Sequence, residues 1–308
     1  MSTKKVLLIA GPTAVGKTAL SIELAQQLNG EIISGDSMQV YRHLDIGTAK
    51  VLPVERQGIP HYLIDIKDVQ QRFTVAEFVT RATALINEIQ SHGKLPIIAG
   101  GTGFYLQSLL AGFQFGPTDA DPDLAYRQQW FDLAAEKGAQ AVWDELSHID
   151  PQAARTIEPQ NTVRVVRALE YWHTSGELFS DQADQAQSAL DAYTICLTAD
   201  RPLLYDRINQ RVDLMLKAGL VDEAQWLYDQ GGLSLSAGKG IGYHELFPYF
   251  EQQTELATAV ELIKRDSRRY AKRQLTWFRN KMQVNWFELL EHPDQRGAID
   301  DQLASWLN

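Results

Sequence analysis

The hydrophobic positions of the chain fall into two rhythms. Short, mostly apolar runs at Val6–Ala10, Glu31–Ser34, His61–Ile66 and Leu95–Ala99 have the length of buried strands. Between them, Lys17–Leu28 and a segment from Thr74 to about Ser91 carry apolar residues at helical spacing. Thr74, followed three residues later by Glu77, predicts a capping box at the start of the second helix. Gly100-Gly101-Thr102-Gly103 stops the Leu95–Ala99 run, and another helical pattern follows. Strands alternating with helices predict an α/β fold with a parallel sheet flanked by helices.

After Gly112 the rhythm changes. Asp119–Asp123 reads as an acidic, Pro-bearing linker, and from Pro122 to about Gly176 only helical spacing is found. Thr194–Thr198 returns to strand character. Asp200 is expected to cap a helix that begins Arg201-Pro202, where proline is tolerated. The last and longest helix is predicted from about Glu255 to Asn280, with a final strand at Val284–Phe287. The expected organisation is a core made of residues 1–115 and 190–308, interrupted by an inserted all-helical subdomain at 116–189. No internal repeat or low-complexity tract interrupts this pattern.

Composition adds limits. With 308 residues, 44% hydrophobic and 22% charged, the chain can bury a sizeable core. No apolar run approaches the roughly 20 residues that span a bilayer, so no membrane partner is expected. Met-Ser-Thr-Lys-Lys before Val6–Ala10 has the charge order of a signal peptide, but the apolar run is too short and leads directly into a Gly-rich motif. It reads as a first strand. A single cysteine, Cys196, excludes an internal disulfide and a Cys-based zinc cluster and suits a cytoplasmic location. The net charge of −10 weighs against nucleic acid, yet its distribution weighs the other way. Lys264–Lys281 holds eight basic residues, including Arg268, Arg269, Lys272 and Arg273, against Asp266 alone. This window is +7 and the rest of the chain −17. Such a stripe is either a polyanion site or a solvated helix face.

Gly11-Pro12-Thr13-Ala14-Val15-Gly16-Lys17-Thr18 fits G-x-x-x-x-G-K-[ST] at every position, with a strand before it and a helix after it. Its backbone amides, a helix N-terminus and the Lys17 ammonium would surround a phosphate chain, and Thr18 would place a hydroxyl where Mg²⁺ sits. An ordinary P-loop kinase also needs a metal-binding Asp at a strand end. Asp65 is the only tempting candidate, and a turn-forming Asp is an equal reading of it. Asp36, roughly one βα unit after the P-loop, is expected at the carboxyl edge of the sheet, near the phosphate site. A carboxylate there is either a general base or a helix N-cap. Gln39 offers an amide of the kind that pairs with adenine edges.

A longer series of motifs then narrows the reading. Asp36-Ser37-Met38-Gln39-Val40-Tyr41, Asp45–Lys50, His61 with Leu63-Ile64-Asp65, Gly100–Tyr105, Asn161–Glu170, Ile241-Gly242-Tyr243 and Arg273–Arg279 follow the P-loop in an order that resembles the tRNA dimethylallyltransferases. The resemblance spans roughly residues 5 to 290. It implies transfer of a dimethylallyl group from dimethylallyl diphosphate to N6 of the adenosine just 3′ of the tRNA anticodon, with Mg²⁺ as cofactor. It also implies Asp36 as the base, Thr13 and Thr102 near substrate, and an arginine at the diphosphate. Arg211 is the first choice for that arginine, and Arg207, four residues earlier on the same face, is the alternative. Expected tRNA contacts are Asp36, Ser37, Met38 and Gln39, then Thr102, then Val163, Arg164, Val165, Val166 and Arg167. A third set is Lys239, Gly240, Ile241, Gly242, Tyr243 and His244, with Tyr243 offering a ring to stack on. Gly238-Lys239-Gly240 departs from the Gln-Ala usual in the family. A bacterial-type short form acting as a monomer is expected. The alternatives are a P-loop small-molecule kinase and, further off, a nucleotide-dependent RNA-binding switch.

Overall fold

A computed structural model describes residues 4–113, 123–181 and 190–308. The expected linker Asp119–Asp123 lies outside these residues except for Asp123, as do the boundaries expected at 115–116 and 189. Six parallel strands form one sheet in the order β3-β2-β4-β1-β5-β6. They are β1 (Lys4–Ala10), β2 (Gly30–Ser34), β3 (His61–Tyr62), β4 (Leu95–Ala99), β5 (Leu190–Leu197) and β6 (Asn285–Phe287). The central strand β1 pairs Leu7 with Ile97 on one side and with Tyr193 on the other. Its Val6–Ala10 run is completely buried, as a strand covered on both faces must be. Cys196 is likewise buried on β5, where burial pushes its thiol up to about 12.

β3 is shorter than the apolar run His61–Ile66 predicts. Leu63 and Asp65 both take left-handed backbone conformations, φ 61° and 57°, which break the extended chain after two residues. Helix α1 (Lys17–Gln27) follows β1 directly, and α2 (Val75–Ser91) precedes β4. The capping box at α2 closes on one side only. Thr74 Oγ1 accepts from the Glu77 amide at 3.2 Å, while the Glu77 carboxylate turns to Lys67 and Arg81. Helix α3 (Gly103–Ala111) follows β4.

The chain divides into two compact units, Met1–Leu110 with Ala189–Asn308, and Ala111–Ser188. The second contains α4 (Leu124–Lys137), α5 (Ala139–Ile149), α6 (Pro151–Thr156) and α7 (Thr162–Ser175). Its core is formed by Val142, Leu146, Val165, Val166 and Leu169. Asp150 ties it together, with Oδ1 accepting from the Ala153 amide and Oδ2 from the Ser180 amide, both at 2.9 Å.

The first unit is completed by α8 (Arg201–Lys217), α9 (Leu220–Asp229), the short α10 (Phe247–Phe250), α11 (Leu256–Lys281) and α12 (Gln295–Leu307). Asp200 stands at the N-cap of α8 but its side chain makes no capping bond, contrary to expectation. Its own amide donates instead to the Glu291 carboxylate at 3.0 and 3.1 Å. Among the described residues no helix is long and apolar enough to cross a membrane.

Candidate active site

The first unit carries the chemistry at the carboxyl edge of its sheet, where the loops after β1, β2 and β4 meet. The P-loop leaves β1 through Gly11, whose φ of 139° suits only glycine; a Cβ there would lie 2.6 Å from the Leu197 carbonyl oxygen. Ala14 is held at φ 65°, a left-handed conformation uncommon outside glycine. Lys17 Nζ donates to the Pro12 carbonyl at 2.6 Å. Burial, reinforced by Arg211, pushes Lys17 down to about 8, against the pull of Asp36 and Cys196. Such an ammonium gains when an anion arrives.

Two arginines of α8 reach this loop. Arg211 Nη1 meets Thr13 Oγ1 at 3.4 Å, and Arg207 Nε donates to the Ala14 carbonyl at 3.0 Å. Arg207 is exposed, whereas Arg211 is half-buried and faces the interior of the site. Burial lowers the Arg211 pKa, with Asp36 opposing that shift.

Asp36 follows β2. Its Oδ1 accepts from the Met38 amide at 2.8 Å and the Gln39 amide at 3.4 Å, an Asx turn. No helix starts there, so the N-cap reading does not apply. Ser37 N donates to Thr102 Oγ1 at 3.1 Å, joining the β2 and β4 loops.

Two cavities adjoin these residues. A narrow one of about 110 Å³ is lined by Lys17, Thr18, Ser34, Gln39 and His61. A wide one of about 340 Å³ is lined by Ser37, Met38, Lys239, Gly240, Ile241 and Gly242, with Tyr243 and Arg273. Thr13, Asp36, Thr48, Arg211 and Tyr270 line both. The expected phosphate end and the expected RNA end thus share one wall, and Asp36 stands on it.

The narrow cavity suits a hydrated divalent cation. Thr18 and Asp36 supply hard oxygen donors, and His61 turns Nδ1 to the Ile59 carbonyl at 2.8 Å, leaving a buried Nε2 without a partner. Elsewhere, ligand atoms of His244, Glu245 and Asp266 gather within 4.8 Å. Asp266 is already held there by Arg265 and Arg269.

Several expected contacts fall differently. Gln39 spends its side chain on protein, accepting from Ser34 Oγ at 3.0 Å and donating to the Thr48 and Ala49 carbonyls. Val165 and Val166 are buried in the helical core, while Val163, Arg164 and Arg167 of the same helix are exposed. The Tyr243 ring is 1% exposed and so offers no stacking face. His244 points to Glu245 and to the Gly240 carbonyl. Arg268 is spent on Asn209 at 2.6 Å. Arg269, Lys272 and Arg273 stand exposed and line an open groove on α11 with Trp277. Asp65 lines neither cavity: with Asp45 it pairs with the buried Lys50, whose ammonium also donates to the Tyr41 carbonyl.

Two residues of α11 join this site that were not among the expected site residues, although Gln274 lies within the Arg273–Arg279 motif. Gln274 is buried; its Oε1 accepts from the Thr13 amide and its Nε2 donates to the Gly101 carbonyl, both at 2.9 Å. Tyr270 is pushed up to about 12 by burial and by Asp36, with hydrogen bonds to Thr102 and Gln274 acting the other way. The available signal was a polar residue in the apolar register Ala271, Gln274, Leu275, Phe278.

A Gly-rich loop between β1 and α1, with an ammonium and a helix N-terminus beside one small cavity, defines a P-loop α/β protein. The model of the IPP transferase family matches residues 39–281. The chain belongs to the IPP transferase family. It is 70% identical to a tRNA dimethylallyltransferase of Lactiplantibacillus plantarum over 304 residues, covering 99% of this chain and 98% of the relative. It is 53% identical to one from Bacillus anthracis, covering 94% and 93%. Among solved structures, the full-length tRNA isopentenylpyrophosphate transferase of Bacillus halodurans is similar with TM-score 0.73 and 46% identity, covering 99% of this chain and 97% of that one. A eukaryotic dimethylallyltransferase acting on tRNA gives TM-score 0.82 and 30% identity, covering 98% and 80%.

Proposed function

We propose that this chain transfers a dimethylallyl group from dimethylallyl diphosphate to N6 of the adenosine 3′-adjacent to the anticodon of tRNA. The supporting observation is the wall common to the two cavities, on which Asp36, Thr13 and Arg211 stand. The diphosphate lies in the narrow cavity against the P-loop amides and Lys17, and the adenine enters the wide one, taken out of its stack. The N6 lone pair forms the new C–N bond to C1 of the dimethylallyl group as the C1–O bond breaks. The electron pair of that bond leaves with diphosphate, and the N6 proton passes to Asp36. Arg211, Lys17 and the P-loop amides gather the charge that develops on the leaving group. Thr18 would hold Mg²⁺, which would supply further positive charge against the leaving diphosphate.

RNA contact rests on the Ser37-Met38 turn, Thr102, Lys239–Gly242 and the exposed Arg269, Lys272 and Arg273. On the helical unit, the exposed Val163, Arg164 and Arg167 supply RNA contacts of their own. A P-loop kinase is disfavoured by Asp65, its candidate metal ligand, which is committed to Lys50. The test is incubation with dimethylallyl diphosphate, Mg²⁺ and unmodified tRNA, followed by nucleoside digestion and mass measurement. Prenylated adenosine is expected; its absence, with ATP consumed in the presence of a small acceptor, would overturn the proposal.

A further inference from the structure

One carboxylate outside both cavities holds the wall of the wide one. Glu223 lies on α9 and lines neither cavity. Its Oε2 accepts from the amides of Asp45 and Ile46, each at 2.8 Å. Its Oε1 accepts from the Gly47 amide at 2.9 Å and from the Tyr243 hydroxyl at 2.7 Å. Three consecutive amides converging on one anion form a backbone nest, and here the anion belongs to the protein. All four hydrogen bonds are charge-assisted, the stronger kind.

These bonds fix surfaces that do line the cavity, namely Gly47, Thr48 and Gly240–Tyr243. The fit is close. A Cβ on Gly47 would lie 2.6 Å from the Tyr243 hydroxyl oxygen, and one on Gly240 would lie 2.6 Å from Met38 Cε. The turn after Asp36, the Asp45–Thr48 loop and the Gly240–Tyr243 segment therefore close on each other. Glu223 is the group that ties the second to the third.

We propose that Glu223 is a positioning residue for the RNA acceptor: it sets the wide cavity by holding the Asp45–Gly47 loop against Tyr243. This rests on the reading that the wide cavity receives the adenine. Glu223→Gln keeps the size of the side chain but leaves one acceptor oxygen, and its NH₂ confronts an amide or hydroxyl donor. Steady-state kinetics should show the KM for tRNA raised about tenfold or more, the scale of losing a charge-assisted bond. The affinity for dimethylallyl diphosphate, measured by calorimetry, should stay within about twofold, because the P-loop is untouched. Tyr243→Phe removes only the hydroxyl arm; it should raise the KM for tRNA less, and combined with Glu223→Gln it should add little.

Equal loss of tRNA and diphosphate affinity would mark general loosening and overturn the proposal, as would an unchanged KM for tRNA. If Glu223→Gln does not fold, Tyr243→Phe decides by the same criterion. Direct tRNA binding by the wild type and both variants separates the two ideas. If the wild type makes no prenylated adenosine, the reaction fails, whereas variants that bind tRNA as the wild type does refute the role of Glu223 alone.

Discussion

Replacing Gln274 with Leu tests whether α11 braces the P-loop. The substitution keeps volume within a packed helix face and removes both hydrogen bonds, to the Thr13 amide and to the Gly101 carbonyl. Gln274 is buried, so water does not readily replace its amide. Each bond is worth about 1 kcal/mol net, and each buried group left without a partner costs about 1–3 kcal/mol, so a loss of roughly 3 kcal/mol is expected. Urea denaturation followed by fluorescence should show a lower midpoint with unchanged slope. The diphosphate affinity should fall too, since Thr13 is both held by Gln274 and in contact with Arg211. Gly101→Ala supplies a matched perturbation, because its Cβ would lie 2.2 Å from Gln274 Nε2 and would push the side-chain amide off both its acceptor, the Gly101 carbonyl, and its donor, the Thr13 amide. The two substitutions should not add, as expected when they break one shared network. A Gln274→Leu protein with the wild-type midpoint and wild-type diphosphate affinity would refute the bracing role.

Lys17 should give diphosphate binding a pH limit. With the free ammonium near 8, affinity should hold between neutrality and pH 8 and decline above it in calorimetric titrations, while Lys17→Arg flattens that decline. Stability runs with the opposite sign: between about 8 and the unfolded 10.5 the unfolded chain binds more protons, so this group adds stability as pH rises through that window. Asp36→Asn should cut single-turnover prenylation by about two to four orders of magnitude with donor affinity nearly unchanged, and a near wild-type rate in a folded variant would exclude Asp36 as the base. Charge reversal at the exposed Arg269 and Lys272 should weaken tRNA binding and reduce its salt slope by about one for each phosphate that is no longer neutralised, while an unreduced slope would make the α11 stripe a solvated face.

What could be read from sequence was whatever carries its own local signature. The P-loop is legible because a glycine-dependent turn, a strand and a helix must occur together around eight contiguous residues. The central strands are legible because burial on both faces demands continuous apolar runs. Less legible were groups whose role depends on partners far along the chain. Gln274 bonds across 261 residues to Thr13, and Glu223 across 176 residues to Gly47. Asp65 looked like a metal ligand because the run before it looked like a strand, and two left-handed residues and Lys50 give it another task. Val165 and Val166 were drawn into the RNA surface by sitting inside a motif. On a helix only every third or fourth residue shares a face, and these two point into the core.

The central strand has a consequence for how the chain is made. β1 emerges early, but one of its two neighbours, β5, begins at Leu190, and the Gln274 brace belongs to a helix that ends at Lys281. At about 5–20 residues per second, the gap from Ala10 to Lys281 corresponds to about 15 to 55 seconds of synthesis. For most of that interval the P-loop is a glycine turn beside a half-built sheet: Arg211 is made only about three-quarters of the way through, and Tyr270 and Gln274 near its end. A nascent or truncated chain ending before α11 therefore carries the whole phosphate signature but lacks the Gln274 brace on Thr13 and the Tyr270 side of the cavity wall. The apolar β1 flank must also wait for its partner, which makes this the stretch where premature arrest exposes an unpaired strand edge to other chains.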